Sequence, residues 1–160
     1  TQPKMPLLTE RQKELIRTTW PIVKERGDNN ITEIGRAIFI RLFEVAPQTQ
    51  VLFPFRDETM EELKTSKRLG RHADNFMKKV ILAIEGMDVM FGEVGPKLVS
   101  LGSRHYGFGV EAPNFAFAGQ ALVDVLEQVL AKEFTEEVKE AWLNLYSLIQ
   151  EALIEGTKDH

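Results

Sequence analysis

The 160-residue chain predicts an all-α fold from three features of its sequence. Apolar residues recur every three or four positions, which is the helical period. The sustained apolar–polar alternation of half-buried strands does not occur, so we predict essentially no sheet. Side chains that cap helix N-termini stand before the apolar segments.

The helix boundaries follow from caps and helix breakers. Thr9, Asn30 and Thr59 are each followed three residues later by Gln or Glu, which is the spacing of a capping box. Thr135 precedes two acids, which favour a helix N-terminus. These signals, with glycines and prolines as stops, predict helices over residues 9–26, 30–45, 47–52, 59–85, 95–106, 113–132 and 135–157.

One proline and the chain ends refine this outline. Pro21 lies inside the first helix, and a proline there removes a backbone hydrogen bond, so we predict a kink or a break after Trp20. Residues 1–8 lack helical periodicity and predict a flexible arm. We expect one folded domain over residues 9–157 and a disordered tail at 158–160.

The last two predicted helices are long and amphipathic. Pro113 suits the first turn of the earlier one. Each helix carries one apolar stripe, and because few residues join the two helices, we expect them to pack antiparallel as one wall of the core. The stripes consist of Phe115, Ala118, Leu122, Val125 and Val129, and of Val138, Trp142, Leu145, Ile149 and Ala152.

The composition excludes several classes of function. Twenty basic and 24 acidic residues give a net charge of −4, which does not suit a nucleic-acid-binding face. No apolar run is long enough for a membrane span, and we see no secretory signal, so we expect a cytoplasmic protein. Cysteine is absent, which removes disulfides, thiolate catalysis and Cys-ligated metal sites. The chain also carries no motif typical of a hydrolase or a transferase.

Apolar residues at helical spacing place His72, and likewise His105, in the middle of an apolar face of its predicted helix. A single histidine in such a place is usually a core residue with a satisfied hydrogen bond. Two of them on separate helices point to a shared ligand, because burying an imidazole is unfavourable unless its nitrogens find partners. Their apolar neighbours at helical spacing are Leu69, Phe76 and Val80 for the first, and Leu98 and Leu101 for the second.

Haem suits this histidine pair better than a bare metal ion. Neutral imidazole ligates iron, zinc and copper, but zinc normally needs three or four protein ligands. A porphyrin supplies four nitrogens itself, so the protein has to provide only one or two axial ligands. Phenylalanines in the first half of the chain could surround such a group, with plain core packing as the alternative; they include Phe39, Phe43, Phe53, Phe55 and Phe76.

The residues resemble the globin family over positions 9–157. Ile-Arg-Leu-Phe-Glu-Val-Ala-Pro at 40–47 resembles the exit of the second globin helix and the proline that follows it. Phe53 matches the phenylalanine that stacks on haem, while His72 and His105 match the distal and proximal histidines. The neuroglobin branch is the most similar, through Leu101-Gly102-Ser103-Arg104-His105, Gly109-Val110, Glu133-Phe134-Thr135, Ala141-Trp142 and Leu145-Tyr146.

The resemblance implies a globin fold of about seven to eight helices around a pocket for haem b, iron protoporphyrin IX. His105 would be the proximal iron ligand. His72 would be the distal residue, which either donates a hydrogen bond to bound O₂ or becomes the sixth iron ligand. The resemblance implies pocket walls of Phe53, Phe39, Phe76, Leu101, Val110 and Phe115, with Arg71 and Arg104 as partners of the haem propionates. Phe76 stands where a smaller valine is common, so with Phe39 it would narrow the distal space.

The function that the resemblance implies is reversible binding of diatomic gases, O₂ and also CO and NO, for oxygen transport, storage, sensing or redox chemistry. The enzymatic alternative is NO dioxygenation or nitrite reduction, which would need an external reductase as electron donor. A haem-free helical interaction module is a third possibility, against which the two histidines argue. We expect no nucleic-acid partner, no membrane span, and a monomer or homodimer.

Overall fold

The computed structural model describes residues 8–89 and 112–157, and the regular structure in these ranges is helical. The all-α prediction is therefore confirmed. The helix predicted at 95–106, residues 1–7 of the predicted arm, and the tail at 158–160 lie outside the described residues. The described α-helices are α1 (Glu10–Arg26), α2 (Ile31–Val45), α3 (Met60–Leu63), α4 (Lys67–Glu85), α5 (Ala112–Leu130) and α6 (Glu136–Thr157), with 3₁₀ helices at Pro47–Leu52, Met87–Val89 and Ala131–Glu133.

The predicted N-caps are present in the structure. Thr9 and Thr59 each form a complete capping box with the residue three positions on. The Asn30 side chain accepts a hydrogen bond from the backbone N–H of Glu33, and the Thr135 hydroxyl accepts one from the residue that stands third in α6. Each cap satisfies a backbone N–H that the first turn of a helix leaves without an intrahelical partner.

The predicted helix outline differs from the structure at Pro21 and within residues 59–85. Helix α1 runs without a break through Pro21, so a break after Trp20 is wrong. Pro21 is exposed while Trp20 and Val23 are buried, and the packing of this face on the core offsets the missing hydrogen bond. The helix predicted over 59–85 is two helices, because residues 64–66 interrupt it and a new N-cap stands at the end of the interruption.

Helix α2 lies between α4 and α5 and packs on both. Gly35 marks its closest approach to α4, since a Cβ atom there would lie 2.8 Å from the carbonyl oxygen of Ala73 and 2.7 Å from Cγ of Met77. This approach brings the side chains of α2 next to those at the start of α4. None of the helices in the described ranges is long and apolar enough to cross a bilayer.

Helices α5 and α6 form the wall that the sequence predicts. Residues 131–135 join them, and Gly119 of α5 lies against the ring of Tyr146 of α6, as expected of an antiparallel pair. Helix α1 packs on α6, where the Trp20 and Trp142 rings meet edge to face at 6.3 Å. The predicted stripe residues Leu122, Val125, Val138, Trp142, Leu145 and Ile149 are buried, Ala118 and Val129 are half-buried, and the side chains of Phe115 and Ala152 fall outside the description.

Candidate functional site

The His72 imidazole lies against three phenylalanine rings. Its centroid is 5.0 Å from that of Phe39, 5.0 Å from that of Phe53 and 5.9 Å from that of Phe55. The ring planes are inclined by 66–75°, so these are edge-to-face contacts of the kind that aromatic quadrupoles favour. The structure thus gathers α2, α4 and the segment after the first 3₁₀ helix around one histidine.

Further aromatic contacts join these rings into one group. Phe39 meets Phe76 edge to face at 5.3 Å, and Phe53 stacks nearly parallel on Phe55 at 5.2 Å. Phe43 contacts three of the other rings at 5.6–6.2 Å. The group, which we call the aromatic cluster, consists of Phe39, Phe43, Phe53, Phe55, Phe76 and His72.

The aromatic cluster has a buried side and a partly accessible side. Phe39, Phe43 and Phe55 are buried, whereas Phe53, Phe76 and His72 are half-buried. The fully buried face of α4 instead contains Leu69, Ala73, Met77 and Val80. His72 therefore lies at the edge of the apolar face of its helix, and not in the middle as its sequence spacing indicates.

Phe55 is a member of the cluster that the sequence analysis named among the phenylalanines that could surround a haem but did not assign to the pocket wall. Pro54 restricts the preceding residue to an extended backbone, and Phe53 has φ −117° and ψ 155°. The chain then turns, and the backbone N–H of Arg56 donates to the carbonyl oxygen of Phe53 at 3.1 Å, so a tight turn keeps Phe53 and Phe55 close together. The two phenylalanines that flank the proline were therefore the signal that could have predicted this pair of rings.

The structure brings together the described members of the predicted site, which are His72, Phe39, Phe53 and Phe76. Arg71 is exposed and forms no ion pair within the described part of the chain. The remaining predicted residues, Leu101, Arg104, His105, Val110 and the side chain of Phe115, lie outside the described residues.

The carboxylate nearest to His72 along α4 is already paired. The Asp74 carboxylate accepts a hydrogen bond from the Thr32 hydroxyl at 3.0 Å and forms an ion pair with Lys78 at 2.9 Å. These partners hold the pKa of Asp74 below its usual value, with Lys78 as the larger cause. Among the described residues, no three His, Cys, Asp or Glu side chains are grouped so as to hold a metal ion. What the described site offers a ligand is therefore an imidazole set in aromatic surface.

The family of the chain follows from comparison with known proteins. A family model described as Globin matches residues 36–153, which include the whole aromatic cluster. The chain belongs to the globin family. The globin fold is confirmed by its helical architecture and by the solved structure of a hexacoordinated heme protein from an anhydrobiotic tardigrade, which covers 99% of each chain with a TM-score of 0.84 at 23% identity.

Curated relatives place this globin close to neuroglobins. Neuroglobin of Dissostichus mawsoni and Neuroglobin-1 of Oncorhynchus mykiss are each 30% identical to it, over 95% of this chain and 94% of the relative. A plant protein named as an anaerobic nitrite reductase, from Brassica napus, is 29% identical over 88% of this chain and 86% of its own. The neuroglobin-like resemblance predicted from the sequence is thereby confirmed.

Proposed function

We propose that this globin binds haem at the aromatic cluster and binds diatomic gases reversibly there. The observation that carries the proposal is the setting of His72. Its imidazole is half-buried, and the half-buried rings of Phe53 and Phe76 accompany it on the partly accessible side of the cluster. A nitrogen ligand within an aromatic surface fits a flat, largely apolar macrocycle with a metal at its centre.

The cofactor that fits is haem b, which when bound would supply an iron able to take up O₂, CO or NO at an axial position. His105 would be the proximal ligand, as the globin resemblance of its segment implies. The described part of the pocket would supply the distal side. Phe39, Phe53 and Phe76 would exclude water from this side, and Leu101, Val110 and Phe115 would complete the apolar walls that slow oxidation of the bound group.

His72 has two possible roles, and we propose that it acts as the sixth iron ligand in the resting protein. The tardigrade protein that shares this fold is described as a hexacoordinated heme protein. A resident imidazole lowers the apparent affinity for an external gas by the fraction of time for which the position is open. Once displaced, the same imidazole can donate a hydrogen bond to the incoming gas and slow its release.

Arg71 and Arg104 are the proposed partners of the haem propionates. Arg71 is exposed beside His72 in the chain, and within the described residues no carboxylate forms an ion pair with it. A guanidinium can bind a carboxylate with two parallel hydrogen bonds. Arg71→Met should therefore speed haem loss to a haem scavenger, while Lys79→Met, which removes the same charge about two turns further along α4, should not.

The absorption spectrum of the purified ferrous protein tests the proposal. A Soret band with sharp, split visible bands in the absence of added ligand is expected if both imidazoles bind. His105→Gly should abolish the Soret band or leave a haem that the protein loses easily. His72→Leu should convert the split bands to one broad band, whereas Asn75→Leu, on the exposed face of the same helix, should leave them unchanged. A colourless wild type would overturn the proposal.

Nitrite reduction is the second candidate, and the Brassica napus relative favours it by its name. The reaction takes one electron from an external donor and two protons to convert nitrite to NO and water. Mixing the reduced protein with nitrite under anaerobic conditions should release NO. A His72→Leu variant should react faster because its distal position stays open, and an unreactive wild type and variant would rule this activity out.

A further inference from the structure

The helical backbone is interrupted shortly before His72. Residues 64–66, here called the junction, separate α3 from α4. Ser66 caps α4 by accepting a hydrogen bond of 3.1 Å from the backbone N–H of Leu69, and only 8% of Ser66 is exposed. His72 follows Ser66 by six residues, or about 9 Å along a helix axis. A shift of the junction therefore moves the imidazole.

Arg36 of α2 holds the junction from one side. Its Nη1 donates hydrogen bonds to the carbonyl oxygens of Leu63 at 2.7 Å and Ser66 at 2.9 Å, and its Nε pairs with Glu33 at 2.8 Å. Only 12% of the side chain is exposed, so these charge-assisted hydrogen bonds are largely shielded from water. Arg36 thereby fixes the start of α4 on α2.

Glu58 and Arg68 hold the junction from the other side. The Ser66 hydroxyl donates to Oε2 of Glu58 at 3.0 Å, and Nη2 of Arg68 approaches the same oxygen at 3.0 Å. Nη1 of Arg68 also donates to the carbonyl oxygen of Pro54 at 2.9 Å. The Glu58 side chain is only 13% exposed. These contacts tie segment 53–59 to the first turn of α4.

The elements joined at the junction are the ones that surround His72. Helix α2 carries Phe39, segment 53–59 carries Phe53 and Phe55, and α4 carries His72 itself. Contacts at the junction therefore fix the positions of all three rings relative to the imidazole. We call the side chains that make these contacts the junction clamp, and they are Arg36, Glu58, Ser66 and Arg68.

We propose that the junction clamp sets the rate at which His72 gives way to an external ligand at the sixth coordination position of the haem iron. This inference rests on the proposed function. Rings from α2 and from segment 53–59 touch the imidazole, so a shift of α4 against α2, or a shift of segment 53–59, makes room for His72 to move away. The clamp resists both shifts. Its members act through His72 and are positioning residues.

Two variants weaken the clamp from opposite sides. Arg36→Met removes both hydrogen bonds from Nη1 to the junction carbonyls. Arg36→Lys retains a cationic donor and should keep the rate at which His72 is displaced near that of the wild type. Glu58→Gln removes the charge opposite Arg68 while keeping the size of the side chain. Because this change is small, it keeps the test available should Arg36→Met fail to fold.

Matched controls break ion pairs away from the junction. Arg41→Met breaks a pair of 2.9 Å between α2 and Asp124 of α5. Glu133→Gln breaks a pair of 2.8 Å with Arg26 of α1. The first control removes a cation from the same helix as Arg36, the second removes a carboxylate far from the junction, and both leave the clamp intact.

Stopped-flow mixing of the ferrous protein with saturating CO measures how fast His72 leaves the iron. We expect Arg36→Met and Glu58→Gln to raise this limiting rate about fivefold, with Arg36→Lys and both controls near the wild type. Hydrogen exchange of the full-length protein is the second measurement. Backbone amides of segments 53–59 and 67–72 should exchange faster in the two clamp variants than in the controls.

The outcomes separate this inference from the proposed function. Suppose that the wild type shows a bis-imidazole spectrum and that the clamp variants match the controls in limiting rate and in hydrogen exchange. The proposed role of the clamp is then wrong, and the proposed function stands. A wild type without a Soret band overturns the proposed function, and the role in ligand exchange falls with it. A coloured wild type with an open sixth position also overturns the inference.

Discussion

Phe39 of α2 and His72 of α4 meet edge to face, with ring centroids 5.0 Å apart and planes inclined by 74°. Phe39 is buried, and it also contacts Phe53 and Phe76. Among the described residues, it is therefore the one ring that contacts His72, Phe53 and Phe76 together. In the proposed haem pocket, the size of this ring would set how much space remains for a ligand on the distal side.

Shortening Phe39 should open the distal side. Phe39→Leu should lower the free energy of unfolding by about 1–2 kcal/mol, since it removes ring contacts but keeps a branched apolar side chain. CO rebinding after flash photolysis should accelerate roughly tenfold, which corresponds to about 1.4 kcal/mol of barrier. Phe43→Leu is the control, because Phe43 is equally buried and does not belong to the rings that contact His72. Equal rebinding in both variants would contradict a steric role for Phe39.

A double-mutant cycle can measure the hydrogen bond between α1 and α6. The indole N–H of Trp142 donates to the Thr19 hydroxyl at 3.0 Å, and both side chains are buried. Thr19→Val should cost about 1–3 kcal/mol of unfolding free energy because it leaves a buried N–H without its acceptor. In a Trp142→Phe background the same change should cost clearly less. Urea unfolding of the four proteins gives the coupling, and strictly additive costs would show that the bond contributes little.

Gly35 should not tolerate a side chain, although alanine favours helices. A Cβ atom at this position would lie 2.8 Å from the carbonyl oxygen of Ala73, which cannot move without shifting α4. We expect Gly35→Ala to lose about 1–2 kcal/mol net, as overpacking outweighs the helix propensity gained. Gly70→Ala should be milder, because its Cβ would meet Nη2 of Arg36 at 2.9 Å, and the end of a long side chain can yield, at some cost to the Nη1 hydrogen bonds, without a shift of helix backbone. Thermal unfolding compares the two variants, and equal losses would contradict this explanation.

The contacts of Asp88 predict a dependence of stability on pH. Lys13 approaches this carboxylate at 2.8 Å and Arg17 at 2.9 Å, and these cations, Lys13 first, hold the pKa of Asp88 below its usual value. A carboxylate whose pKa is lower in the folded state stabilises the fold above its unfolded pKa of about 4, and this stabilisation disappears as the pH falls through the folded pKa. Asp88→Asn should therefore lower the unfolding free energy at pH 7 more than at pH 3.

Asp57→Asn provides the control for this pH dependence. Asp57 is exposed and forms no ion pair with the part of the chain that the structure covers. Its substitution should have the same small effect at both pH values. Urea unfolding at the two pH values, in low salt, measures both variants. An Asp88→Asn effect that is independent of pH would show that the ion pairs with Lys13 and Arg17 do not stabilise the fold.

Much of the site was predictable because its chemistry is local in the sequence. His72 and Phe53 follow from residue type, spacing and family resemblance. The caps at Thr9 and Thr59 follow from contacts spanning three residues. The clamp was not predictable in this way, because Arg36 and Leu63 are far apart in the chain and no short motif relates them. Neither was the junction, since its residues carry no strong helix breaker and the helical period continues across it.

The sequence by itself determined the all-α class, most helix starts and the choice of His72 as the candidate ligand, because helix period, capping and the presence of an imidazole depend only on residues within a few positions of one another. Only the tertiary structure decided that α1 continues through Pro21, that His72 lies at the edge of its apolar face, and that Phe39, Phe53 and Phe55 meet it. These outcomes depend on how helices distant in the chain pack. At Pro21 the packing free energy of a whole face outweighs a local preference, and at His72 the close approach of α2 to α4 sets which side chains reach the ring.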